Sequence, residues 1–463
     1  MTTSHSSRSR RRVARAAIAS ITALLIGACS GTSTNSPSPT PTPSLTAPAP
    51  TLSPAATATP RAPVGIGPLE PVALTWADGL DPGAAEGHSL DVPAGWTAEV
   101  WANLPGARLA AWSPDGALVV SEADQGSVAV VTPKSGAGPA TVASLATGLS
   151  SPQGLAFTRS GGHDVLVIGE SQRLVAWTYA NQSLSNPRVI VDGLPTTGHG
   201  AKGIAVDGGT LYFSLGSSSN RDPVDRTADP ERAVIARIGL DGTGYGVVAT
   251  GVRNGFGLAF APDGTLFTAV NQADNQPYPF RDGSGLYGQV VEEFVNENPV
   301  DQVTRVTPGL DLGWPYCMPD GTASDDLVDL GYFADPLLNA DESALDCSKL
   351  ERVQLGLPAH SAPLGLAFTS GTPLRAVLGD GALIAAHGSW NREPPREPYV
   401  VFAPWDADAG ALGAAQPLVT GFQNEDGSRW GRAVAAVPGP DGALYVTDDL
   451  AGLVYRIAPP STQ

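Results

Sequence analysis

Several short stretches hold residue types able to do chemistry. Ala249 to Asn275 reads ATGVRNGFGLAFAPDGTLFTAVNQADN, with Arg253 and Asn254 before one apolar run and Asn271, Gln272, Ala273 and Asp274 after the next. Gly198-His199 precedes another such run, with Lys202 three residues after the histidine. PAHSAPLGLAF carries His360, AHGSWNR carries His387, Trp390 and Arg392, and RWGR carries Trp430 and Arg432. Guanidinium groups grip carboxylates through paired hydrogen bonds, and imidazoles exchange protons near neutral pH. The chemistry implied is capture of an anionic or carboxylate-rich small molecule, with proton transfer beside it.

These residues need elements that bring them together, and a repeat supplies them. LAAWSPDGALVVSE begins at Leu109, QGLAFTRSGGHDVLVIGE at Gln153, KGIAVDGGTLYFSLGS at Lys202, FGLAFAPDGTLFTAVN at Phe256, LGLAFTSGTPLRAVLGDGALIAAHG at Leu364 and AAVPGPDGALYVTDD at Ala435. Each is an apolar run, a turn built on Gly, Asp or Pro, and a second apolar run, which predicts a hairpin. Most copies lie about 45 to 70 residues apart, a period typical of propeller blades. The pattern predicts an all-β fold, a six-bladed β-propeller of four-stranded antiparallel blades around a central channel. Seven blades, with one degenerate copy hidden between Phe256 and Leu364, is the alternative.

In a propeller, residues just before the first run and just after the second ring one mouth of the channel. Arg108, Gln153, His199, Lys202, Arg253, Asn254, His360, Trp430 and Arg432 precede first runs, whereas Glu122, Glu170, Asn220, the Asn271 to Asp274 cluster, His387 to Arg392 and Asp448 with Asp449 follow second runs. Three of the 6 histidines fall here. Gln153, His360, His387 and Trp390 are expected in the substrate pocket.

The chain has 27 Lys+Arg against 45 Asp+Glu, a formal net charge of −18. Five of the arginines, Arg8, Arg10, Arg11, Arg12 and Arg15, stand in the leader, so the remainder is more acidic still. Such a balance excludes a nucleic-acid partner on electrostatic grounds. It also makes clustered arginines informative, because an acidic protein that binds an anion must concentrate its few cations there.

Residues 1–28 read as a bacterial lipoprotein signal: a basic start, a short apolar middle, and Ala28 before Cys29, the expected lipidation site. Residues 29–68, rich in Ser, Thr, Pro, Ala and Gly, read as a disordered tether, and 69–460 as the propeller. The expected location is outside the cytoplasmic membrane, held to it by the lipid. Cys317 and Cys347 then form an even pair in an exported chain, which predicts one disulfide, against the alternative of two buried thiols.

With these stretches assembled, the sequence resembles the glucose/sorbosone dehydrogenase family of quinoproteins. The likeness is carried by GHGAKGIAVDGGTLYFSLGSSSN, TGVRNGFGLAFAPDGTLFTAVNQAD, GWPYC, PAHSAPLGLAF, AHGSWNR and WGRAVAAVPGPDGALYVTDD, in order from about Thr197 to Asp449. The resemblance implies a six-bladed propeller holding pyrroloquinoline quinone (PQQ) and Ca2+, and oxidation of a sugar or polyol. It implies that Arg253, Arg392 and Arg432 bind the quinone's carboxylates, with Asn254 assisting and Arg108 as a further contact. Trp430 stands where soluble glucose dehydrogenase has an arginine, so the resemblance implies that one carboxylate contact is either missing or supplied from elsewhere, with Lys202 as the candidate. Calcium would be held at Gln272 and Ala273, close to Asn271 and Asp274. His199 would be the general base for hydride transfer to the quinone, with electrons passing to an external acceptor, membrane quinone or a small cytochrome. A calcium-dependent propeller lactonase and a non-enzymatic, lipid-tethered binding propeller are the competing readings.

Overall fold

The computed structural model describes residues 66–134 and 138–460. The leader, Cys29 and nearly all of the tether lie outside the described residues. Each predicted hairpin forms the two inner strands of one sheet. The innermost strands are Ala107–Trp112, Leu155–Ser160, Ile204–Asp207, Gly255–Phe260, Pro363–Phe368 and Ala433–Pro438. Six sheets built on them, each with a four-stranded antiparallel core and four of them extended by short extra strands, make a six-bladed propeller. The seven-blade alternative fails because the wide interval after Phe256 supplies only the outer strands of the fourth blade, Asp301–Arg305 and Val353–Leu357, and an inserted lobe.

The strand chemistry follows from position in a blade. Second strands lie between neighbouring blades and are covered on both faces, so Leu266–Val270 and Gly381–Ala386 are buried throughout and read as unbroken apolar runs. Outermost strands face water, as the largely exposed Thr141–Thr147 does. Innermost strands crowd the axis. A Cβ on Gly203 would stand 1.8 Å from the Phe256 carbonyl of the next blade, closer than any real contact, so only glycine lets those strands approach.

Two devices serve the mouth. Register shifts at the start of the inner hairpins of blades 1, 4, 5 and 6 place Arg108, Phe256, Leu364 and Val434 in bulges. A bulge re-aims its side chain out of the pleat alternation, and Arg108 and Leu364 both reach the mouth cavity. The ring is closed by pairing Leu453–Ala458, near the C-terminus, with Thr97–Asn103, near the N-terminus.

The inserted lobe is stapled by a Cys317–Cys347 disulfide with Cα atoms 5.7 Å apart. Trp314, fully buried beside it, donates its indole N–H to the Asn220 carbonyl at 3.2 Å, linking the lobe to the mouth. The bridge closes a loop of separation 30, worth about 3 to 4 kcal/mol in chain entropy. Replacing both cysteines by serine is therefore expected to lower stability by about that amount. Urea unfolding of the double variant beside wild type checks this; coincident midpoints would refute it.

Candidate functional site

A cavity of about 220 Å³ opens at the mouth, walled by Arg108, His199, Arg253, Asn254, Asn271 to Asp274, Asp301, His360, His387 and Trp390 among others. Liquid water takes about 30 Å³ per molecule, so the space suits a small organic ligand. Further along the axis the channel narrows to about 60 Å³ between apolar residues of all six inner strands, Leu109, Leu155, Ile204, Phe256, Leu364 and Ala435 among them.

His199 is placed by the turn before the third blade. Its backbone N–H donates to the Ser217 carbonyl at 2.9 Å, and Gly216 lets the His199 backbone come close, since a Cβ there would lie 2.5 Å from the His199 Cβ and 2.6 Å from its carbonyl oxygen. The Ser217 hydroxyl donates to the Ser219 carbonyl at 2.7 Å and stands 2.8 Å from His199 Nδ1. A hydroxyl has one proton. Ser217 thus accepts from Nδ1–H, and Nε2 keeps its lone pair. Burial first, and the Arg253 charge second, push the imidazole down to about 4, so at neutral pH it is an uncharged base.

Arg253 is buried and held from three sides. Its Nε donates to the Asn220 carbonyl at 3.2 Å, Nη1 to the Asn271 carbonyl at 3.2 Å and Nη2 to Asn220 Oδ1 at 3.0 Å, with Asp274 at 3.5 Å. Asn220 also accepts from the Asp274 N–H and donates to the Asp274 carbonyl, both at 2.8 Å. The neighbouring Asn254 lines the cavity with its side-chain amide unengaged among the described residues.

The other two histidines have different settings. His387 stands 3.1 Å from both oxygens of Asp449, and the same carboxylate accepts from Arg108 Nη1 and Arg432 Nε, both at 2.7 Å. Burial pushes His387 down against the upward pull of Asp449. Burial alone would raise Asp449, but His387, Arg432 and Arg108 outweigh it and hold the carboxyl far below its ordinary range. His360 donates Nε2–H to the Val295 carbonyl at 2.7 Å and faces Asp274 at 3.6 Å. Its burial is outweighed by these acceptors and by Asp301, and its net shift is upward.

Asp301 binds the Gln272 N–H and the Ala362 N–H at 2.8 Å each, pinning two mouth loops to one carboxylate. The repeat pattern carried no signal for it, because it lies in the wide interval where the periodicity is interrupted. Ser217 was missed for a similar reason, as one serine in a run of serines. Asp449 and Asn220 stood at the mouth in the sequence without an assigned task.

Four expected placements are corrected. Arg392 does not reach the cavity: its guanidinium is engaged by Glu297 at 2.6 Å, the Asn296 carbonyl at 3.1 Å and the Pro394 carbonyl. Lys202 is buried behind the strands, donating to the Pro195 and Gly200 carbonyls, and burial lowers it to about 8. Trp430 is a core residue, stacked on His88 at 4.6 Å and on Phe422 at 5.8 Å, with its indole N–H on the Gly421 carbonyl. Gln153 is buried and touches the wall only through Arg108 Nε at 3.3 Å. Arg432 stands beside the wall through Asp449 and is one-third exposed.

Among the described residues no three His, Cys, Asp or Glu side chains form a metal cluster. Oxygens of other kinds are present: Gln272 Oε1 is buried without a partner, and the Gln272 and Ala273 carbonyls accept no hydrogen bond among the described residues. These fit a hard cation. The Asn271 carbonyl does not, being taken by Arg253. Arg108, Arg253 and Asn254 line the same cavity and fit a ligand bearing carboxylates.

The family model described as TrAA12-like matches residues 90–459. A "pyrroloquinoline quinone-dependent pyranose dehydrogenase" of Coprinopsis cinerea is 25% identical over 352 residues, 64% of this chain and 46% of that protein. The chain spans less than two thirds of the length of the curated relatives it matches. Two solved structures share the fold: the holo form of the pyranose dehydrogenase PQQ domain from Coprinopsis cinerea, at TM-score 0.68, 21% identity and coverage of 83% of this chain and 100% of that one, and the calcium structure of Trichoderma reesei Carbohydrate-Active Enzymes Family AA12, at TM-score 0.66, 20% identity and coverage of 83% and 99%. A match over residues 90–459, taking in all six blades and every wall of the mouth cavity, means that this chain belongs to the TrAA12-like family.

Proposed function

We propose that this chain is a PQQ-dependent dehydrogenase that oxidises a sugar or related polyol at a hydroxyl-bearing carbon, with calcium beside the quinone. The observation that carries the reading is the uncharged His199, its Nε2 lone pair free, in a cavity walled by Arg108 and Arg253 of an otherwise acidic chain. The PQQ dependence of the Coprinopsis cinerea relative supports it.

The residues divide the work. Arg108, Arg253 and Asn254 would hold the quinone's carboxylates and ring, and the Gln272 and Ala273 oxygens with Asp274 would hold the cation. The chemistry such a pair supplies is a two-electron acceptor for the hydrogen leaving carbon, with positive charge to stabilise the developing oxyanion. His199 Nε2 takes the hydroxyl proton, and the Ser217 bond fixes the tautomer that makes this possible. Trp390, 77% exposed at the cavity wall, offers an apolar face to a sugar ring. The leader and tether support a location outside the membrane, with electrons passed to membrane quinone or a small cytochrome. A lactonase would want several carboxylates converging on one metal, and the described residues hold no such cluster.

Adding PQQ and Ca2+ to the purified apoprotein is expected to give dye reduction with one or more aldoses; hydrolysis of a lactone without quinone would replace this reading with the lactonase, and neither activity would favour a binding propeller. His199→Ala should cut kcat by on the order of 100- to 10,000-fold while quinone binding persists. Because burial depresses His199, its base form persists as pH falls and is lost only near the depressed value of about 4. The acid limb of kcat/KM should thus lie well below the ordinary imidazole value, and a limb at 6 to 7 would show another group to be the base.

A further inference from the structure

We propose that Asp449 is a positioning residue, one carboxylate that holds Arg108 and Arg432 as a preformed pair of guanidinium groups for a ligand bearing two or more carboxylates. The inference deepens the quinone reading and rests on it for the identity of that ligand. Arg108 comes from the first blade and Arg432 from the sixth, and Asp449 binds both at 2.7 Å while also facing His387 of the fifth at 3.1 Å. The carboxylate itself is aimed by Asp448, whose buried side chain accepts from the Leu450 and Ala451 N–H groups at 2.9 and 2.8 Å and from the Tyr455 hydroxyl at 3.0 Å.

Each guanidinium keeps at least one nitrogen without a partner among the described residues. Arg432 meets Asp449 through Nε, and Arg108 gives Nε to Gln153 and Nη1 to Asp449. The Arg432 Nη atoms and Arg108 Nη2 have no partner among the described residues. Two like charges in one partly desolvated place repel, and without a shared counter-ion each would turn toward water. With Asp449 between them, their free donors can be presented together, and a planar fork held in place loses less freedom on gripping a carboxylate.

The opposing reading makes Asp449 a plain counter-charge, and the two predict opposite signs. Removing a negative charge beside an anion site should tighten anion binding if charge alone matters. If Asp449 positions the arginines, its removal should weaken binding. Equilibrium binding of PQQ in the presence of Ca2+, read from quenching of tryptophan fluorescence, separates them in wild type, Asp449→Asn, Arg432→Gln and the double variant. Asp449→Asn is expected to bind roughly tenfold more weakly or worse. Most of that loss should vanish in the Arg432→Gln background, because the two residues act as one unit. Equal or tighter binding by Asp449→Asn, or strictly additive losses, would overturn the proposal. Binding by wild type separates this failure from failure of the quinone reading, which would show as no binding at all and would remove both. Should Asp449→Asn not fold, Arg432→Gln decides: unchanged affinity overturns the proposal.

Discussion

Everything at the mouth depends on closure of the ring. Leu453–Ala458 pairs with Thr97–Asn103 across almost the whole described chain, and this ladder makes blade 6 the neighbour of blade 1. Arg108 and Asp449, 341 residues apart, can touch only because of it. The Thr447 hydroxyl, which donates to the Arg108 carbonyl at 2.6 Å, is tied across the same seam. Loop closure over such a span is entropically costly, and a complete strand ladder with buried apolar faces on both sides offsets it.

Within the closed ring, carboxylates do the arranging. The chain is strongly acidic, yet its mouth is not simply basic: Asp449 sits between two arginines and a histidine, Asp274 between Arg253 and His360, and Asp301 across two loop amides. Each buried charge has a partner, as burial demands. The three cavity histidines diverge for the same reason. His199 has a neutral hydroxyl for a partner and stays a free base, whereas His387 and His360 face carboxylates and serve as donors to fixed acceptors.

The hairpins were legible because a blade's inner strands demand unbroken apolar runs and a tight turn, and those demands are local. The mouth positions followed from topology alone, and Arg108, His199, Arg253, Asn254, Gln272 and His387 do share one cavity. Arg392, Lys202 and Trp430 did not follow, because a residue's place in a repeat specifies where its Cα lies and leaves the direction of a long side chain open. Arg392 turned to Glu297, Lys202 to buried carbonyls and Trp430 to the aromatic core. Asp301 was invisible since its strand lies in the interrupted interval, where the period offers no register.

By itself the sequence determined the hairpin repeat of an all-β propeller, the charge economy and the set of groups able to meet at the axis, since these rest on short-range patterning and composition, whereas the count of six blades was settled by the sheets themselves. The tertiary structure decided which of those groups face the cavity, which tautomer His199 holds and which carboxylate each cation shares. Those outcomes turn on hydrogen bonds between blades, and their geometry exists only once the ring is shut.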